Sequence, residues 1–321
     1  MNKSFMQKVL ITILIVVLFV IASCKSEEQP IDLKNPFVGG TVGINVDFQN
    51  LRKEIFDGGR DPFEIVVKLE NKGEADVPKN KVSVKLSGFN PAVLGRVEEQ
   101  LVRTPSDDLL STKKDIQGNV LASPPVPVEF DGLNYLSSIV GATSEIKLLA
   151  SVCYGYKTVG VSKLCVRSNI LSPSAGGLCE INENKMLFSS SAPVQLVNFV
   201  ESAYGKDKVG FNFDVKSVGQ GNVYSIDSGC VAGVRAQENK VFVKINTQMS
   251  GLSCTGLKST SNGVEGFISL FDGSQTISCK QQINTKTDFE QVVNIEATYD
   301  YEDTKQETIP VKISGETVTS S

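Results

Sequence analysis

Residues 63–77 read FEIVVKLENKGEADV, and residues 209–223 read VGFNFDVKSVGQGNV. Laid over each other, Phe63, Ile65, Val67, Leu69, Gly73 and Val77 coincide with Val209, Phe211, Phe213, Val215, Gly219 and Val223. Apolar side chains at every second position mark a strand with one buried face, because successive side chains point to opposite faces of a sheet. The shared glycine falls where such a strand must turn. A left-handed backbone, cheap only without a Cβ, is expected there.

The likeness extends in both directions. KVSVKL at 81–86 matches KVFVKI at 240–245, and EFDG at 129–132 matches LFDG at 270–273, with Asp-Gly suited to a tight turn. CYGYKTVGVSKLCV at 153–166 matches TYDYEDTKQETIPV at 298–311, setting Tyr154 and Tyr156 over Tyr299 and Tyr301. Each of these is expected to be a closing hairpin. First strands are expected at 43–48 (GINVDF) and 194–199 (VQLVNF). Segments recurring in one order define an internal repeat, with copies at 37–168 and 192–316 and a Ser/Gly/Asn-rich connector at 169–191. Short strands, turn signals and little helical periodicity predict an all-β chain of tandem immunoglobulin-like β-sandwiches.

An alternating strand ending in Asn71-x-Gly73, followed by a Val-rich strand, resembles the CARDB-type adhesion-related domains and S-layer-associated Ig-like domains of prokaryotic surface proteins. The second copy has Ser217 and Gly219 there. The resemblance covers the first half of each copy and implies a surface module with no active-site residues. The stretch 89–125 departs from it, being far longer than an ordinary strand connection.

Residues 1–24, MNKSFMQKVLITILIVVLFVIASC, read as an export leader. Lys3 and Lys8 precede an apolar run from Val9 to Ile21, short for a membrane span but suited to a signal-peptide core. Ile21-Ala22-Ser23-Cys24 resembles the lipobox of prokaryotic lipoproteins, which makes Cys24 the expected lipid-attachment residue. The other reading is an uncleaved N-terminal anchor helix. Either way the rest of the chain faces the extracellular or periplasmic side, and the charged, Pro-punctuated residues 25–36 read as a tether.

The 321 residues include no histidine, which excludes the Ser and Cys triads that use it and the His-containing zinc sites. Carboxylate pairs, Ser–Lys dyads and oxygen-ligand cation sites survive that filter. None of them is singled out by spacing, so the expectation is a non-enzyme without cofactor. Net charge is −4, and loss of a leader carrying Lys3 and Lys8 would leave −6. With no basic cluster, a nucleic-acid partner is not expected. The expected partners are a membrane, through the lipid or the N-terminal helix, and a protein or surface polymer.

Six cysteines follow Cys24, and an even number in an exported chain implies disulfides. Cys153 and Cys165 are both absent from the second copy, which favours pairing them across the expected hairpin centred near Val159 and Gly160. Cys254 with Cys279 and Cys179 with Cys230 complete that scheme. A rival scheme joins Cys165 to Cys179 and Cys153 to Cys230. No C-x-x-C spacing points to metal or redox chemistry.

Among candidate sites, the 89–125 insertion comes first as a binding surface, either alone or with the domain junction for a glycan or peptide. Within it, Ser106 is placed to cap a short helix with Asp107 and Asp108 in its first turn. The alternative is a loop packed over one end of the sandwich. The four tyrosines are better explained by the fold than by a glycan-stacking platform. The acids Asp57, Asp61, Asp300, Glu302 and Asp303 lack a known calcium-loop spacing and are expected to be solvated turn carboxylates. The SAGG at 174–177 lies in the connector, without the strand and helix that a phosphate cradle needs.

Overall fold

A computed structural model describes residues 34–141, 143–171 and 178–314. The leader with Cys24, most of the tether and the SAGG segment lie outside the described residues. Residues Leu33–Ser321 form one compact unit. Among the described residues there is no α-helix, and none of the helical turns is long and apolar enough to cross a membrane. The chain is all-β.

The first half contributes β1 (Ile44–Gln49), β2 (Ile55–Phe56), β3 (Phe63–Asn71), β4 (Val82–Ser87), β5 (Val102–Arg103), β6 (Lys113–Lys114), β7 (Val120–Leu121), β8 (Val126–Leu133) and β9 (Thr143–Val166). The second contributes β10 (Phe188–Ser189), β11 (Val194–Ala203), β12 (Lys208–Ser217), β13 (Asn222–Tyr224), β14 (Lys240–Asn246), β15 (Leu252–Cys254), β16 (Lys258–Thr260), β17 (Gly263–Ser269), β18 (Ser274–Gln282) and β19 (Phe289–Lys312).

The two strands read first from sequence are the middles of two small antiparallel sheets. β3 lies between β1 and β8, and β12 lies between β11 and β18, with β15 outside. Phe63, Ile65, Val67 and Leu69 are buried on β3, as are Val209, Phe211, Phe213 and Val215 on β12. The period of two is therefore the period of burial.

A ten-stranded sheet, with main path β16-β17-β14-β19-β9-β4-β5, shares one core with both small sheets. Its centre differs from expectation. Residues 153–166 and 298–311 do not turn back as hairpins. Instead β9 and β19 run antiparallel in unbroken register from Thr143↔Lys312 to Val166↔Phe289. At ~3.3 Å per residue, 24 residues make a ladder about 80 Å long. Gly160, expected at a turn, stays extended, and a β-carbon there would come 2.6 Å from Leu196 Cδ1. Glycine at 160 lets β11 approach.

Tyr154 faces Tyr301, Gly155 faces Asp300 and Tyr156 faces Tyr299. Each tyrosine thus opposes the repeat equivalent of its neighbour, and a pseudo-twofold axis passes through the Gly155–Asp300 pair. The N-terminal half of β9 pairs with β4, while Thr158 Oγ1 in its other half donates to Val194 O on β11. Reciprocally, β19 pairs with β14 along its first half and with β2 at Val311 and Lys312. The segments 37–168 and 192–316 delimit the repeat in sequence, but in space each lends half a strand to the other.

Candidate functional site

The tyrosines sit where the two copies meet. Tyr154 Oη accepts the Ile44 N–H at 3.2 Å, and Tyr299 Oη accepts the Val194 N–H at 3.2 Å, the same bond in each copy. Tyr156 donates to Asn71 Oδ1 at 3.0 Å, and Tyr301 accepts the Gly221 N–H at 2.7 Å. Adjacent rings meet at 5.6–6.5 Å between centroids. Burial raises all four hydroxyl pKa values, Tyr154 well above the ordinary range. These rings are core, closed to a sugar.

The repeated glycine belongs to the same unit. A β-carbon on Gly73 would collide with the Tyr156 hydroxyl, and one on Gly219 with the Tyr301 hydroxyl. Neither glycine adopts positive φ, contrary to expectation. Close approach of a ring, rather than a left-handed turn, excludes a side chain here.

The disulfides follow from the same ladder. Cys153 bonds to Cys230 and Cys165 to Cys179, while Cys254 bonds to Cys279 across facing positions of β15 and β18. The favoured pairing of Cys153 with Cys165, and of Cys179 with Cys230, does not form. Twelve residues apart on one extended strand, Cys153 and Cys165 stand ~40 Å apart, against the ~7 Å limit for a bridge. Cys230 instead reaches Cys153 from the loop after β13, tying the copies together. Three disulfides fit an oxidising, extracytoplasmic compartment.

On the outer face of the axis, Asp300 accepts N–H bonds from Asp227 and Gly229 and the Ser228 hydroxyl. Asp300 is buried, so it is an organiser of the 227–230 loop and not a solvated turn acid. Beside it a cavity of about 370 Å³ is lined by Lys81, Thr104, Cys153, Asp227 and Asp300. Lys81 pairs with Asp227 at 2.6 Å, and the hydrogen bond and charge of that carboxylate raise the lysine's pKa. An Asp300 oxygen and the sulfurs of Cys153 and Cys230 lie within 4.8 Å of one another. With the sulfurs bonded to each other, no thiolate remains there to ligate a metal.

The other acids are also spread apart. Asp57 accepts the Ser314 N–H at 2.7 Å and the Ile139 N–H at 3.0 Å, which lowers its pKa. Buried, it clasps the end of β19. Asp61 pairs with Arg52 at 3.0 Å, Glu302 accepts the Tyr224 hydroxyl and Asp303 bonds to the Thr304 N–H.

The insertion divides in two. Leu94, Leu101 and Leu109 are buried against the first copy, so its earlier part packs over the sheets. Residues 106–108 form no helix, since Ser106 donates to Asp107 and Asp108 accepts the Lys79 N–H. The later part, β6 and β7, stands out as a two-stranded hairpin with Ile116, Val120 and Leu121 exposed.

Two features had escaped sequence reasoning. A cavity of about 480 Å³ lies between β14, β19 and the Ser261–Asn262 turn, edged by Lys244, Asn246, Asn262, Glu265, Asn294 and Glu296. Such a mixture of donors and acceptors suits a neutral polar ligand. Glu201, fully buried on β11, accepts the Cys165 N–H with both oxygens and lies 3.3 Å from the Lys185 ammonium. Loss of hydration outweighs these partners and raises its pKa to about 7. Glu201 is the only acid of β11, and that was the available signal.

No protein-family model matches the chain, and no match emerges among curated proteins.

Proposed function

We infer that this is a membrane-anchored lipoprotein of the extracellular or periplasmic face. In this reading two Ig-like sandwiches of CARDB or S-layer type, fused at the tyrosine junction, act as a non-catalytic structural, adhesion or protein-interaction module. One observation carries the reading. A disulfide-braced double body, its tyrosines and central acids spent on internal hydrogen bonds, follows a leader ending in Ile-Ala-Ser-Cys. Such a body suits holding a surface away from a membrane better than turning over a substrate.

Mass spectrometry of the native N-terminus tests the anchor: a diacylated Cys24 is expected, and a free or uncleaved N-terminus contradicts lipidation. Capture of partners from intact cells tests the interaction role. Deleting all of 89–125 would also strip Leu94, Leu101 and Leu109 from the core. Replacing residues 113–121 by a short Gly-Ser link is therefore the cleaner variant. An outcome in which no surface component is captured by the full chain contradicts an interaction module.

A second reading, a glycan- or peptide-binding lipoprotein, is favoured by the cavity at the axis, where Thr104 of the insertion meets Lys81 and Asp300 of the junction. Loss of ligand on Lys81→Ala and Thr104→Val together would support it. Unchanged binding would remove it.

A further inference from the structure

The β6–β7 hairpin is built to show apolar groups to its surroundings. Its turn is braced by Asp115, whose carboxylate accepts the Gln117 and Asn119 N–H groups and the Asn119 side-chain amide. The Asp115 N–H in turn donates to Asn119 O, and the Gly118 N–H donates to Asp115 O. Hydrogen bonding holds the carboxylate ionised, its pKa lowered. At the tip of this fixed turn Ile116 is 98% exposed, and Val120 and Leu121 on the return strand are 55% and 56% exposed. Single exposed apolar side chains are common, but three on one braced protrusion ask for a partner.

The position of the hairpin names that partner. Lys114 Nζ donates to the backbone oxygens of Asn35 and Phe37, each at 3.4 Å, so the hairpin stands beside the point where the tether joins the folded body. From there the chain is tied down. The Val38 and Gly39 N–H groups bond to Glu74, and Ser191 reaches Val42 O. Only ten residues lie between Cys24 and Asn35, a reach of at most about 40 Å. An anchor at the N-terminus therefore keeps this side of the molecule close to lipid. Lys113 and Lys114, both exposed, stand opposite Leu121 and Val120 in the ladder and add positive charge beside these apolar groups. That combination suits an anionic lipid surface.

We propose that the β6–β7 hairpin is a second membrane contact, inserting Ile116, Val120 and Leu121 at the headgroup boundary with the Lys113 ammonium on lipid phosphate. It rests on the anchored reading above. One chain alone binds membranes marginally, so a second weak contact fixes both residence and orientation. The body would then be held to the bilayer at two points instead of swinging on the tether.

The chain contains no tryptophan, which allows a clean test. Full-length Ile116→Trp, Leu121→Trp and Val231→Trp variants are placed, through their own N-termini, in vesicles of equal phosphatidylcholine and phosphatidylglycerol. Val231 lies in the exposed loop bridged by Cys230, on the face of β9 opposite Tyr154. Flotation reports the anchor, and quenching by acyl-brominated lipid against an aqueous quencher reports the hairpin. Lipid quenching of Ile116→Trp is expected to exceed that of Val231→Trp by at least about threefold, with Leu121→Trp between them. Floating protein whose three tryptophans are quenched alike, and from water, overturns the hairpin contact and leaves the anchor standing. Protein that does not float overturns both. A blue shift of Ile116→Trp that grows with protein concentration in the absence of vesicles assigns the hairpin to a second copy of the chain and also overturns the proposal.

Discussion

The two copies place the same tyrosines, the same glycine and the same long strand in the same relation, yet they differ in the segments added to this frame. The first has a three-stranded small sheet and an insertion ending in an exposed hairpin. In the second, a fourth strand is stapled by Cys254–Cys279, and a loop is pulled over the axis by Asp300. At the axis itself Gly155 faces Asp300. What recurs is what holds the halves together. What differs is where each half meets something else, and the Gly-to-Asp change is the smallest such difference.

The largest effects should come from breaking what joins the copies. In the chain-entropy account a bridge stabilises with the logarithm of the loop it closes. Cys153–Cys230 closes 77 residues, Cys254–Cys279 closes 25 and Cys165–Cys179 closes 14. Replacing each pair by serine should cost about 4.5, 3.5 and 3 kcal/mol in that order by denaturant titration. An inter-copy bridge that costs least would break the comparison.

Tyr154→Ala and Tyr299→Ala should each cost about 3–5 kcal/mol, as for other fully buried aromatics. Because the four rings touch, combining them should fall short of the sum. Additive losses would mean that the copies are held independently.

Glu201 supplies a pH signature confined to copy two. Its pKa is raised from the ordinary 4.5 to about 7, so the folded chain holds this proton more tightly than the unfolded chain does. The associated stability is fully present below pH 4.5 and fades as pH rises through about 7, a change of about 3 kcal/mol. Glu201→Gln should flatten that slope and unfold at higher denaturant than the parent at pH 8. A parent chain with the same midpoint at pH 5 and pH 8 would refute this.

The finest contrast is Tyr299→Phe against Tyr154→Phe. The first orphans the Val194 N–H and also loses the contact with Thr158 Oγ1 at 3.0 Å, whereas the second orphans only the Ile44 N–H. Tyr299→Phe should therefore cost more, within a range of about 1–3 kcal/mol.

Much of this is legible in the sequence. The period-two strands at 63–71 and 208–217 and the matching of the tyrosines follow from side-chain alternation, which depends on neighbours in sequence. The path of β9 does not. Thr158-Val159-Gly160-Val161 is compatible with a turn and with a strand, because glycine serves both a sharp bend and a close backbone approach. Only the partner strand β19 and Leu196 decide between them. The cysteine error has the same root. Cys153 and Cys165 are absent together from copy two because their partners, Cys230 and Cys179, lie in segments that are themselves outside the repeat. Asp300 and Asp57 read as surface acids because the N–H groups they accept come from loops far away in sequence.

Peptide mapping of the intact, unreduced protein tests the shared ladder most directly. Cross-linked peptides joining Cys153 to Cys230 and Cys165 to Cys179 are predicted, since an uninterrupted β9 holds its two cysteines at opposite ends. A peptide joining Cys153 to Cys165 would mean that the strand folds back on itself and that the copies do not exchange halves.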